Sequence, residues 1–135
     1  MVLTNATITI YNRKYDKPTG FDVWNRTVIR GVHLYVNHKV ALGDSGVKSA
    51  DLYKIRIPEE VENAEWYLSP EEYVSCSDPS GYWTIQNEDH IVIGECVQDI
   101  EKPSDLKNMS QRHCKVTSWL DNRFGGLPHW KIEGE

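Results

Sequence analysis

Apolar and polar residues alternate in several short segments of this chain, and this pattern constrains the fold more than any other feature. In residues 4–11, TNATITIY, Ile8 and Ile10 fall on one side and Thr7 and Thr9 on the other. A two-residue period is typical of a half-buried β-strand. The same reasoning predicts about seven strands, at residues 4–11, 21–35, 51–58, 82–86, 90–95, 113–120 and 129–133.

The connections between these segments carry turn and cap chemistry. Residues 12–20, NRKYDKPTG, are predicted to form a turn. Ser69-Pro70-Glu71-Glu72 has a Ser cap, an early Pro and two acids, which predicts a short helix, and residues 102–106 predict another helical turn. The fold class is therefore all-β and mainly antiparallel. We expect one domain over residues 1–135, a small β-barrel or sandwich with one or two short helical turns.

The second predicted strand, residues 21–35, contains a glycine at its middle. Gly31 predicts a bulge or a sharp bend, of the kind that small barrels need at their corners. Simple alternation places Val28 and Val32 on one face, and Ile29 and His33 on the other.

Residues 36–50, VNHKVALGDSGVKSA, show no sustained period of either kind. They contain Gly43 and Gly46 among small polar residues. We interpret this segment as a long projecting loop between strands 2 and 3. Loops of about fifteen residues inside a compact domain are usually functional or disordered.

Composition limits the classes of function. The chain has 135 residues and a formal net charge of −5, which argues against tight binding to phosphates through a basic face. The sequence has no signal-peptide pattern and no apolar run long enough to span a membrane. The three cysteines are too few for a disulfide framework and lack zinc spacing, so free thiols in a reducing compartment are expected.

A search for catalytic or metal-binding groups finds ordinary explanations for each candidate. His33 and His38 would lie on opposite faces of a strand, and adjacent His113 and Cys114 would point apart. The acidic residues of 59–65 have no fixed spacing, so a solvated loop is the simpler interpretation. We therefore expect no enzyme activity, no catalytic residue, no metal and no cofactor.

The aromatic residues leave two alternatives open. They could stack bases on an oligonucleotide-binding barrel, or they could fill a small barrel and contact protein partners. The residues concerned are Trp24, Tyr35, Trp66, Tyr82, Trp83, Trp119 and Trp130. Base stacking needs Lys and Arg on the same face, and the acidic balance of the chain favours the second alternative.

The succession ATITIYN, WNRTVIRGVH and YKIRIP, followed by DHIVIGE, KVTSWLDNRFGG and HWKIEG, resembles a family of small virion proteins. These proteins are encoded in the head-to-tail region of long-tailed bacteriophages of Gram-positive hosts. The order of elements is also similar to that of head-closure, or stopper, proteins of the phage neck, which is an analogy of fold. Residues 59–80 lie outside this resemblance.

The resemblance implies a ring, expected to hold twelve copies, between an adaptor or portal complex above and tail proteins below. It implies a location in the virion neck after synthesis in the host cytoplasm, with packaged double-stranded DNA in the channel and no tight sequence-specific binding. The channel loop would include Asn37, His38, Lys39, Val40, Leu42, Gly43, Asp44, Ser45, Gly46, Val47 and Lys48. The interface candidates are Trp24, Arg26, Arg30, Arg123, Phe124 and Trp130.

Two other functions stay open at this point. One is a tail terminator or another ring protein of the neck, and the other is a monomeric oligonucleotide- or ligand-binding β-barrel. The sequence leaves undecided whether residues 36–50 would plug the channel or line it.

Overall fold

The computed structural model describes residues 6–16, 18, 20–43, 46–59, 66–76, 81–100, 103–108, 111–124, 126 and 128–135, and of residues 38–43, 46–51, 103, 107 and 108 it describes the backbone alone. The strands are β1 (Ala6–Asp16), β2 (Phe21–Gly43), β3 (Gly46–Pro58), β4 (Trp66–Tyr67), β5 (Tyr82–Trp83), β6 (His90–Ile93), β7 (His113–Asn122) and β8 (His129–Gly134). One helix, α1 (Pro70–Ser75), and one 3₁₀ helix (Pro103–Asn108) complete the described elements.

Six strands form a closed barrel in the order β1-β2-β3-β8-β7-β6, and β6 returns to pair with β1. Every neighbouring pair in the barrel is antiparallel. The prediction of a small, mainly antiparallel β-barrel is confirmed. Closure gives each barrel strand a neighbouring strand on both sides where the strands overlap.

The barrel interior is filled mainly by β-branched and aromatic side chains. Its buried members are Ile8, Ile10, Ile29, Val32, Tyr53, Ile55, Ile57, Trp83, Ile85, Ile91, Cys114, Val116, Trp130 and Ile132. Cys114 lies deep in this interior, and burial raises the pKa of its thiol to about 12. Such a thiol stays protonated and acts as a small apolar side chain.

The predicted bulge at Gly31 is present. Ala6 pairs with Val32 and Thr7 pairs with Arg30, so Gly31 has no partner in β1, and its φ is 79°. An extra residue reverses which face the following residues occupy. Ile29 and Val32 therefore both point into the core. The sequence-based assignment, which put these two residues on opposite faces, is wrong for this reason.

A second apolar cluster lies on the outer face of β1 and β6. It contains Tyr11, Val92, Cys96, Ile100 and Leu106, with Trp24 packed against it. The segment after β6, residues 94–108, supplies most of the cover, and we call it the strap. Both faces of β1 are therefore buried near its middle, which ends the simple alternation there.

The strap is fixed to β1 by side-chain hydrogen bonds. The hydroxyl of Thr9 donates to the carbonyl of Gly94 (2.8 Å) and accepts from the Cys96 amide (2.9 Å). The phenol of Tyr11 donates to the carbonyl of Gln98 (2.6 Å). The predicted helical turn after Lys102 is present in the strap as the 3₁₀ helix.

We call residues 59–89, which follow β3 and precede β6, the base segment. Its described residues contact the end of the barrel where β1 ends and β2 begins, because Asn12 donates to the carbonyl of Thr84 and Asn25 to that of Tyr82. Trp83 and Ile85 from this segment belong to the barrel core. Helix α1 begins as predicted, because the Ser69 hydroxyl accepts from the amide of Glu72. The ammonium of Lys14 donates to the last carbonyls of the helix, those of Tyr73 (3.1 Å) and Val74 (3.0 Å), which ties α1 to β1.

Two predicted connections are strands instead. Residues 12–16, expected to be a turn, continue β1, and Asp16 pairs with Phe21. Residues 36–50 were expected to be a loop. They contain the end of β2 and the beginning of β3, and pairing between the two strands continues to Gly43 and Gly46. Glycine and small polar residues in the sequence suggested a loop, but cross-strand pairing forms a hairpin.

Candidate functional site

The hairpin of β2 and β3 extends beyond the barrel. We call residues 37–43 and 46–52 the ribbon. Pairing between β3 and β8 ends at Tyr53 with Gly134, and pairing between β1 and β2 ends at Ala6 with Val32. Among the described residues, the two ribbon strands pair only with each other. Seven residues per strand give the ribbon a length of about 20 Å.

The ribbon contains the residues that the sequence assigned to a channel loop. Nine of those eleven lie in its two strands, from Asn37 to Gly43 and from Gly46 to Lys48. Asp44 and Ser45 lie outside the described residues. These nine residues therefore have a defined strand register in place of the irregular loop that the sequence predicted.

The opposite end of the barrel is filled by aromatic side chains of the base segment. Tyr67 lies between Trp83 and Trp130, with ring centroids 5.0 and 4.6 Å away, and the two indoles are 5.2 Å apart. The Arg123 guanidinium stacks over Tyr67 (5.0 Å) and Trp130 (5.1 Å). Such contacts add to burial by the electrostatics of aromatic faces.

Asp121 orients this arginine. The Nε of Arg123 donates to Oδ1 of Asp121 at 2.9 Å, and its Nη2 donates to Oδ2 at 2.7 Å. The guanidinium holds the pKa of the Asp121 carboxyl below its usual range. The bidentate geometry fixes a planar cation at the rim of the aromatic cluster.

A buried carboxyl joins the base segment to β1. Asp89 is 2% exposed and accepts from the Asn12 amide (2.9 Å), the Gln86 amide (3.0 Å) and the backbone amide of Arg13 (3.2 Å). Asn12 also binds the backbone of Thr84, by donating to its carbonyl and accepting from its amide. Burial outweighs these donors and raises the pKa of Asp89 to about 6.

This group was missed from the sequence, where Asn12 and Asp89 both resembled turn residues. A polar residue next to the end of an alternating strand was the only signal. The structure shows instead that two buried polar side chains connect segments more than seventy residues apart.

Of the predicted interface residues, three occupy the outer wall beside the strap. Arg26 pairs with Asp99 (3.0 Å) and Arg30 pairs with Glu95 (2.8 Å). Trp24 packs on the outer cluster, with its ring centroid 5.5 Å from that of His90. These three side chains therefore make contacts with the strap or the outer cluster of their own chain.

The other three predicted interface residues lie at the base. Trp130 is a core residue, and Arg123 is bound to Asp121. Phe124 is 91% exposed. Phe124 is therefore the one of the six that presents an apolar side chain to solvent.

The described residues give little support for metal binding, for stacking of nucleic-acid bases or for a membrane span. Within the described ranges, no three His, Cys, Asp or Glu side chains form a metal-binding group. Two of the aromatics considered for base stacking, Trp83 and Trp130, are enclosed in the barrel core. None of the described helices has the length and apolar character that a membrane span requires.

Comparisons with known proteins give one match. A protein-family profile covers residues 3–135, and its description is a family of unknown function, DUF6751. Comparison with curated proteins and comparison with solved structures each gave no significant match.

Proposed function

The chain belongs to this family of unknown function, DUF6751. We propose that the chain is a head-closure component of a phage neck. In this proposal the chain forms a ring that joins the DNA-filled head to the tail, and the ribbon lines or closes the channel. The observation that carries the proposal is a closed barrel with a two-stranded ribbon extending from one end.

A two-stranded ribbon that extends from a barrel without neighbouring strands is unusual in a monomer. A two-stranded hairpin alone is only marginally stable in water, and its outer edges offer unpaired backbone groups to another chain. Among the described residues it receives no support from the barrel strands on either side. A ribbon of this kind gains its support when neighbouring subunits surround it, as they do around a ring axis.

The base exposes apolar side chains that could form contacts with other subunits. Exposed apolar side chains lie on the base segment and on the strand ends beside it, namely Phe21, Val23, Trp66, Val74 and Phe124. A ring component needs contacts toward neighbours and toward the layer above or below. Exposed aromatic and aliphatic groups are common anchors of such contacts.

The test is the composition and structure of virions of the phage that encodes the chain. We expect mass spectrometry to find the chain in purified particles, and we expect cryo-electron microscopy to show a ring between portal and tail with the ribbon toward the axis. Absence from virions would overturn the proposal. A ring at the upper end of the tail tube would assign the chain to tail termination instead.

A variant sharpens the test. Residues 38–51 are replaced by Asn-Gly, so that a two-residue turn joins Asn37 to Leu52. Particles carrying this variant are expected to lose packaged DNA or to fail at joining heads to tails. The matched control replaces Val97 with Ser, which alters one exposed apolar side chain of the strap, outside both the ribbon and the base, and should leave DNA retention intact. Filled, joined virions without the ribbon would contradict the proposal.

A further inference from the structure

The charge of this chain is divided unevenly between the base segment and the rest. Residues 59–89 contain nine Asp and Glu residues and no Lys or Arg. All other residues together contain 15 Lys and Arg and 11 Asp and Glu, a formal charge of +4. The formal −5 of the whole chain is thus the sum of an acidic base segment and a basic remainder.

Part of the basic remainder is concentrated on the outer wall. His33 pairs with Arg56, and Arg56 pairs with Lys131, so three residues form a row across β2, β3 and β8. Their neighbours Ile55, Ile57 and Ile132 point into the core, which places the row on the outside. Lys54 lies beside the row, with its ammonium 5.8 Å from the ring centre of Tyr35. We call His33, Lys54, Arg56 and Lys131 the basic wall.

The basic wall is partly neutralised by one acid of its own chain, Glu133, which is the cross-strand partner of Lys54. Lys131 pairs with Glu133 at 3.8 Å, a long contact. Among the described residues, Lys54 and Arg56 have no ion pair, in contrast to Arg26, Arg30 and Arg123. The wall also exposes apolar surface at Tyr35 and Leu120.

The base segment presents the opposite charge. Glu71 and Glu88 are exposed, and no cation of the described residues pairs with either. Exposed Trp66 and Val74 lie in the same segment, on β4 and α1. Both surfaces therefore combine unpaired charge of one sign with exposed apolar side chains.

We propose that the basic wall of one copy binds the acidic base segment of a second copy of this chain. The contact joins two different surfaces, so each copy uses its wall toward one neighbour and its base toward the other, and repetition generates a ring. The assignment rests on the proposed function, which requires a ring. We assign a second copy as the partner of the basic wall because its acidic base segment carries the opposite charge. Opposite potentials guide the encounter of two proteins and align their contact surfaces.

The first experiment maps the contact in the full-length wild-type chain. Equal amounts of ¹⁴N- and ¹⁵N-labelled protein are mixed at low ionic strength and joined with a zero-length carbodiimide cross-linker. Mixed-isotope cross-links between Lys54 or Lys131 and carboxylates of residues 59–89 are expected. Mixed-isotope cross-links confined to other surfaces would overturn the contact and leave the ring proposal standing.

The second experiment exchanges the charges. One variant carries Arg56→Glu and Lys131→Glu, and another carries Glu71→Lys and Glu88→Lys. Each alone is expected to self-associate at least about tenfold more weakly than wild type in sedimentation velocity. Their equimolar mixture is expected to recover association, because the two reversed charges on the wall of one variant then face the two reversed charges on the base of the other.

A control variant, Arg112→Glu with Lys115→Glu, makes the same net charge change as the wall variant, at exposed positions outside the wall, and should associate like wild type. Wild-type association in both charge-reversed variants, or no recovery in the mixture, would overturn the contact. Salt-dependent binding of duplex DNA that is lost with Arg56→Glu, while self-association is unchanged, would assign the wall to nucleic acid and overturn it as well. The virion experiments above test the ring function separately.

Discussion

The two ends of the barrel are built by different means. At the base, Tyr67, Trp83 and Trp130 pack within 5.2 Å of one another, and the Asp89 carboxyl accepts three N–H donors. At the other end, the described contacts of the ribbon are the backbone pairs between β2 and β3. The base is held by packing from several elements, whereas among the described residues the two ribbon strands pair only with each other.

This difference separates stability from assembly. Burial of large apolar side chains supplies most of the free energy of folding, so the base should determine whether the barrel folds. A ribbon supported only by its own pairing contributes little to that free energy, and its edges stay open for another chain. Substitutions at the two ends should therefore have effects of very different size.

The largest effect is expected from Trp83→Ala. Trp83 is 1% exposed and contacts both Tyr67 and Trp130. Its truncation leaves a cavity in the core and should lower the free energy of unfolding by about 4 kcal/mol, measured by urea denaturation. Trp66→Ala, at a residue 75% exposed in the same segment, is the control. Equal losses in the two variants would refute the distinction.

The next effect is a dependence of stability on pH through Asp89. Its pKa is about 6 in the folded chain against 3.8 ordinarily, so the folded state holds the proton more tightly. The resulting stabilisation is complete below about pH 4 and is lost as pH rises through 6, with a total of about 3 kcal/mol. Asp89→Asn should flatten this part of the curve. An unchanged slope in the variant would assign the dependence to another group.

A smaller effect is expected from Gly31→Ala. The φ of 79° at the bulge disfavours any side chain, which should lower the free energy of unfolding by about 1–2 kcal/mol. Gly126→Ala is the matched control, because Gly126 has open space around its Cβ position and no positive φ. Similar values for both variants would show that the bulge tolerates a side chain.

The smallest effect at the base is expected from Arg123→Ala, about 1 kcal/mol, because the ion pair with Asp121 and the stacking on two rings are both partly exposed. Since Arg123 lowers the pKa of Asp121, the wild-type stabilisation should decline as pH falls through that pKa. NMR titration of the Asp121 carboxyl should show a higher pKa in the variant. An unchanged pKa would mean that the pair is not formed in solution.

Much of the barrel could be predicted from alternation, and the failures have physical causes. Alternation identifies strands with one buried face, as at Ile55 and Ile57. It fails after Tyr11, because the strap buries the second face of β1 and Asn12 is a buried polar group. It fails again in the ribbon, where the strands are paired although apolar residues do not recur at every second position of the sequence. The Gly31 bulge was predicted, but its effect on the facing of Val32 was not.

The interface candidates show a similar limit. Arg26, Arg30 and Arg123 are residue types that often bind partners, and each is paired with an acid of its own chain. Those acids lie two residues away for Arg123 and more than sixty away for the other two, so only the fold reveals them. Cross-strand register was needed in the same way to bring His33, Arg56 and Lys131 into one row.

The contrast between the two ends implies that the base stabilises the fold and that the ribbon serves assembly. Urea unfolding of the purified chain in which Asn-Gly replaces residues 38–51 tests it most directly. We expect a free energy of unfolding within about 1 kcal/mol of wild type, because the removed strands contribute little beyond their own pairing. A loss of several kcal/mol, comparable to that of Trp83→Ala, would contradict it.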